Sequence, residues 1–338
     1  KEEDLILLSP GDGLHPYKID TIIGKTLKSD KNKFEKIMQN DLLGYGSRNY
    51  NFTFVNPWGI PVRFHDASLL TRGLNNSLIE YHFSYKDLDL NPSDYIDSPK
   101  DIIDNSGRLI VHSPELFKNS HILDLASNSL EYKKNSINFL QQVIWKTENL
   151  ADFHKVSKKP IIIINVGGYS LEGFLSNIKR VELYERVGES LNLLEKSNVN
   201  LAIQTMPPYP WHFGGQRYHN LFVRPDECIQ HIEEYGLSLC LDLSHTYLAC
   251  NHLELDFYEE IKSLFNYTSH IHIADAAGCA GEGMQIGDGD IDFKKVFTIM
   301  KNTKNYSSIG FIPEIWQGHL DEGAGFWEAL KRLKIQII

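Results

Sequence analysis

Eight short apolar runs, each ending on or beside a polar residue, constrain this chain more than any other feature. They are VRFHDA (62–67), LIEYHF (78–83), RLIVHSP (108–114), PIIIINVGG (160–168), NLAIQTMP (200–207), LSLCLDLSH (237–245), HIHIADA (270–276) and GFIPEIW (310–316). Runs this short, rich in Ile, Leu and Val and without strict alternation, suit strands covered on both faces, as a parallel sheet requires. Amphipathic stretches lie between them. SLEGFLSNIKRVELYERVGESLNLLEKS is expected to be a helix with Ser170 as its N-cap. RPDECIQHIEEYG carries Pro-Asp at its start and Gly at its end. Eight strand-helix units in about 290 residues predict a (β/α)8 TIM barrel, although periodicity alone also admits a doubly wound sheet.

The remaining composition narrows the function. With 42% hydrophobic and 23% charged residues the chain reads as an ordinary globular protein, so disorder is disfavoured. No run approaches the roughly 18 apolar residues of a membrane span, so no membrane partner is expected. A formal net charge of -10 repels phosphate backbones and argues against nucleic acid, which leaves a small molecule. Cys228, Cys240, Cys250 and Cys279 have no metal-knuckle spacing and are read as reduced thiols of a cytoplasmic protein. Oligomeric state stays open at this level, with a homodimer among the options. The chain opens Lys-Glu-Glu without an initiator Met or an apolar leader, and is expected to be a piece of a longer polypeptide.

In a (β/α)8 barrel the chemistry sits at the C-terminal ends of the strands. Here those ends carry His65 and Asp66, Glu80 and His82, His112, Asn165, Gln204, Asp242 and His245, His272 and Asp275, and Glu314. A single polar strand end is ordinarily structural. Eight together would cost several kcal/mol per unpaired buried charge unless they pair or bind a cation. Asp242, His272 and Glu314 fall on three successive strands, and their oxygen, nitrogen and oxygen donors suit one divalent ion: Mn2+, Mg2+, Co2+ or Zn2+. A substrate oxygen bound there is polarised and its neighbouring C–H acidified, which is isomerase-like chemistry.

The long segment PPYPWHFGGQRYHNLFVRP after the fifth run is expected to be a substrate lid. Trp211 and Phe213 would stack on a sugar, Arg217 would join them and Gly214-Gly215 would let the segment move. His82 is a further substrate-binding candidate. Arg63 either holds an anionic group or pairs with Asp66. GDGDID lacks the last glutamate of a calcium loop and is expected to be a tight turn.

LCLDLSH, HIHIADAAG, IGDGDID and the glutamate of FIPEIW, taken in order, resemble the xylose-isomerase-like barrel superfamily of sugar isomerases, sugar epimerases and apurinic-site endonucleases. The resemblance runs over about residues 50–338. It implies a metal held by residues at the ends of strands five to eight, which here are Gln204, Asp242, His272 and Glu314. Gln204 departs from the pattern, because the strand-five ligand is otherwise a glutamate that also serves as one of two acid/base groups. An amide coordinates through its carbonyl but takes no proton. Three readings follow. Glu314 works with another catalytic partner, for which His245, His112 and Glu80 are candidates; or the reaction has changed; or activity is lost. The trinuclear endonuclease pattern is not met: the strand-four position is Asn165, and the loop after strand seven offers Glu282 without an Asp-x-His pair.

SPGDGLHPYKIDTIIGKTLKSD resembles the C-terminal antifreeze-like (SAF) module of sialic acid synthases. That divides the chain into residues 1–43, the end of an SAF module, and 44–338, the barrel. It implies an upstream synthase domain in the full-length protein and a substrate that is an amino sugar or a related sugar. The sequence thus points to a metal-dependent sugar isomerase or epimerase fused to an N-acetylneuraminate-type synthase. The alternative is a catalytically inactive sugar-binding or regulatory barrel attached to the same synthase.

Overall fold

The computed structural model describes residues 1–9, 13–14, 19–38, 41–42, 52–210 and 217–337. Eight parallel strands follow one another around a barrel: β1 (Pro61–Val62), β2 (Leu78–His82), β3 (Arg108–His112), β4 (Ile161–Ile164), β5 (Asn200–Gln204), β6 (Ser238–Asp242), β7 (Thr268–Ile273) and β8 (Gly310–Pro313). The ring shuts through a parallel bridge between Trp58 and Phe311. There the Gly59 N–H donates to the Phe311 carbonyl at 3.1 Å and the Phe311 N–H donates to the Pro57 carbonyl at 3.0 Å. The seam needs a glycine, since a Cβ on Gly59 would lie 2.1 Å from the Leu78 carbonyl oxygen. The expected barrel is therefore the observed one, and the doubly wound alternative falls away.

Outside the strands run α1 (Leu130–His154), α2 (Asn177–Asn192), α3 (Pro225–Tyr235), α4 (Leu243–Leu253), α5 (Phe257–Leu264), α6 (Phe293–Lys301) and α7 (Leu320–Ile337). Helix α3 starts on Pro225 and stops at Gly236, which takes φ 62°, as its flanking residues predicted. Two local expectations are corrected. Ser170 does not cap α2: it sits in a two-residue strand paired with Tyr218, and Ser176 precedes the helix instead. The first run is mostly turn, because strand β1 ends at Val62 and the Asp66 carboxylate accepts from the Arg63 backbone N–H at 2.6 Å, bending the chain into the short helix Ala67–Leu70.

Alternation along each strand separates two cores. Outward residues such as Ile79, Tyr81, Val111, Ile203 and Leu241 pack under the helices. Inward residues Leu78, Ile110, Ile163, Ala202, Cys240 and Ile312 form a separate apolar plug inside the barrel. The next inward positions along β2, β3, β5 and β6 are Glu80, His112, Gln204 and Asp242. A polar layer thus rests on an apolar floor.

In the N-terminal segment, Ile19–Ile22 form one helical turn, Gly24 takes φ +83°, and Leu27 bridges Leu42 in antiparallel fashion. The SAF-like PGDG turn lies mostly outside the described residues. No helix among the described residues is long and apolar enough to cross a membrane.

Candidate functional site

His272 is the hub of the polar layer. Its ring is fully buried, with one nitrogen facing the barrel mouth and the other facing the barrel interior. On the mouth side, Nδ1 lies 2.6 Å from Glu314 Oε2, 3.2 Å from Gln204 Nε2 and 3.7 Å from Asp242 Oδ2. On the interior side, Nε2 lies 3.0 Å from Glu80 Oε1. Burial opposes a charge on the ring, but Cys240, Glu314 and Glu80 around it outweigh that and raise its pKa well above the usual imidazole value. Glu314 is likewise penalised by burial, yet His272 beside it holds its carboxyl far below the ordinary range.

Asp242 has a divided role set by its place at the end of β6. Its Oδ1 accepts from the His245 backbone N–H at 2.9 Å and so caps α4. Its Oδ2 accepts from Gln204 Nε2 at 3.2 Å. Gln204 turns its carbonyl oxygen the other way, 3.1 Å from His112 Nε2. Burial lowers the His112 pKa, with the neighbouring His82 adding to the effect.

His245, one turn into α4, is held between the Thr205 carbonyl (Nδ1, 2.9 Å) and the Glu282 carboxylate (Nε2, 3.0 Å). Burial works against its charge, but Asp242 and Glu282 raise its pKa to about 10. Glu282 arrives from the hairpin Asp275–Ala277 and Gly281–Met284, which is pinned by bonds from the Gly283 N–H to Ser244 Oγ and from the Trp316 N–H to the Gly283 carbonyl.

The other expected residues divide. His82 joins the cluster, with Nδ1 4.0 Å from Glu314 Oε1 and Nε2 2.9 Å from Glu80 Oε1. Asp275 is an anchor: its carboxylate accepts the N–H groups of Ala276, Gly287, Gly289 and Ile291, which makes GDGDID the expected tight turn. Asn165 bridges the Gly167 N–H and Glu115. Arg63 is exposed, and its backbone rather than its guanidinium meets Asp66. Arg217 lies 5.8 Å from the Tyr169 ring. Trp211 and Phe213, and with them the tip of the expected lid, lie outside the described residues.

Two residues escaped the sequence reading. His270, two positions before His272 on the same face of β7, is fully buried against Glu80. Its signal was the His-x-His spacing itself. Glu282, which the sequence offers only as a loop carboxylate near the metal pattern, is the partner of His245. The donors fit a divalent ion, since His112, His272 and Glu314 each present one ligand atom and these lie within 4.8 Å of one another.

An eight-stranded parallel barrel with imidazoles and carboxylates gathered at its mouth defines the class. The chain belongs to the xylose isomerase-like TIM barrel family, whose profile matches residues 77–336. Among solved structures it is similar to a D-tagatose 3-epimerase-like protein, with 20% identity, a TM-score of 0.56, and coverage of 82% of this chain and 97% of that one. It is also similar to 3-keto-D-glucoside 4-epimerase from E. coli, with 14% identity, a TM-score of 0.56, and coverage of 83% and 99%. A xylose isomerase domain protein from Planctomyces limnophilus matches at 14% identity with a TM-score of 0.54, covering 83% and 98%. At these identities the likeness is one of fold. No curated protein matches the chain.

Proposed function

We propose that this chain is a metal-dependent sugar isomerase or epimerase that moves a proton on an amino sugar or a related sugar. The observation that carries the proposal is the convergence of Gln204, Asp242 and Glu314 on Nδ1 of His272. A divalent ion bound by these four residues would polarise substrate oxygens, with the Gln204 amide rotated so that its oxygen, here against His112, faces the ion in place of its NH2. Glu314 takes and returns the substrate proton. His245, kept charged by Asp242 and Glu282, orients a substrate hydroxyl when its Nε2–H exchanges Glu282 for the substrate, and His112 and Glu80 are the further proton-handling candidates. His82 at the mouth, with Arg63, Arg217, Trp211 and Phe213, supplies the sugar contacts. The sugar epimerases of like fold support the reaction class. The likeness of residues 1–43 to an SAF module supports the amino-sugar substrate and an upstream synthase domain.

One observation favours a second reading, a binding or regulatory barrel without turnover. The Gln204 NH2 lies 3.2 Å from both Asp242 and His272, where a neutral donor takes the place of a cation.

Incubation of the chain with candidate hexosamines in D2O, with Mn2+ or Co2+, decides between them. Solvent deuterium entering a C–H position of a sugar is the expected result. Tight sugar binding with no deuterium incorporated would leave the inactive barrel.

A further inference from the structure

The inward positions of the barrel floor are Leu78, Ile110, Ile163, Ala202, Cys240 and Ile312, but β7 places His270 beside Cys240, and β2 places Glu80 one inward position above Leu78. Both are fully buried, and His270 pairs in register with Cys240 on one side and Gly310 on the other. A fully buried carboxylate and imidazole on an apolar floor are costly unless each polar atom is satisfied.

They attract each other as an ion pair but leave their hydrogen bonds unmade. His270 Nε2 lies 2.8 Å from Glu80 Oε2, yet the two are out of hydrogen-bond alignment, and both His270 nitrogens and Glu80 Oε2 have no hydrogen-bond partner. Buried donor atoms this close and left without a hydrogen bond are a set that a cation between them would satisfy. His272 Nε2, 3.0 Å from Glu80 Oε1, completes a trio whose ligand atoms all lie within 4.8 Å of one another. Two imidazoles and one carboxylate match the ligand preference of a borderline cation such as Zn2+ or Co2+ rather than Mg2+.

We propose that Glu80, His270 and His272 form a second cation site inside the barrel, beneath the mouth and separate from the Asp242 and Glu314 side of His272. Binding there displaces the proton on His272 Nε2 to solvent. The site stands on these contacts and does not depend on the sugar-isomerase reading.

Co2+ added to the metal-free chain tests it by visible absorption, since a dehydrated site with three protein ligands gives far stronger bands than a six-coordinate, water-rich one. The expected result is an intense spectrum that survives Asp242→Asn and disappears in Glu80→Gln and in His270→Gln. Loss in Asp242→Asn, survival in His270→Gln, or no such spectrum in the parent overturns the proposal. Anomalous scattering from a Co2+-soaked crystal of the unaltered chain gives the same answer should a variant fail to fold. A peak bonded to His270 Nε2 supports the site, and a peak only at the mouth, or none, rejects it.

Discussion

The Tyr81 hydroxyl donates to Nε2 of His154 at 2.9 Å, which ties the outer face of β2 to the last residue of α1. Tyr81 lies between Glu80 and His82, so the strand that sends those two inward is fixed from behind by this bond. His154 Nδ1 completes the pairing with the Pro99 carbonyl at 3.3 Å, which makes the ring a neutral imidazole. Burial depresses its pKa from 6.5 to about 4.

A group whose folded pKa is lowered favours the folded state fully above its unfolded pKa and loses that contribution as pH falls. For His154 the loss begins near pH 6.5 and is complete below pH 4. At roughly 1.4 kcal/mol per unit, about 2 kcal/mol is lost between pH 7 and pH 5. His154→Gln keeps hydrogen-bonding capacity without titrating. Urea unfolding of parent and variant at both pH values should show the difference shrinking by about 2 kcal/mol, and an unchanged difference would refute the assignment.

At Gln204 the amide supplies two N–H groups beside the Asp242 carboxylate. Gln204→Glu replaces a donor with a like charge, so the metal-free protein should lose about 2 kcal/mol. The same carboxylate should strengthen the hold on Mn2+. Thermal melts with and without Mn2+ are expected to show a lower melting temperature alone and a larger rise on adding the ion. Equal melts in both conditions would argue that Gln204 does not face the cation position.

Glu282→Gln removes one of the two carboxylates that keep His245 charged. In metal-free protein the His245 pKa should fall from about 10 by about one unit or more. Imidazole proton NMR across pH 6 to 11 reads this directly, and an unmoved titration would show that Asp242 alone sets the value.

Gly59→Ala should strike the barrel seam. Its Cβ would meet the Leu78 carbonyl oxygen, which belongs to the backbone and cannot swing away. A loss of about 3 kcal/mol in urea unfolding is expected, at the upper end for overpacking. A cost below about 1 kcal/mol would show that the Trp58–Phe311 closure opens easily.

Much of the site was legible because a strand's side chains alternate. Once LIEYHF and HIHIADA are strands, Glu80 shares a face with His82, and His270 with His272. Ser170 misled because the glycine-bearing stretch before α2 breaks the helical pattern, so the nearest serine to the apolar run was not the cap. His245 and Glu282 are 37 positions apart, and nothing local in GEG announces that a hairpin folds it over the mouth.

The sequence by itself determined the alternation of eight apolar strands with amphipathic helices, and with it the barrel and the set of residues that reach its mouth. Periodicity and strand ends are properties of short segments, and short segments are what a sequence displays. Only the tertiary structure decided which atoms meet. Glu80 and His272 are 192 positions apart, and their 3.0 Å contact depends on the stagger accumulated around the ring. The same closure turned the Gln204 carbonyl to His112 and its NH2 to Asp242, and it set His270 against Glu80 in the buried barrel interior.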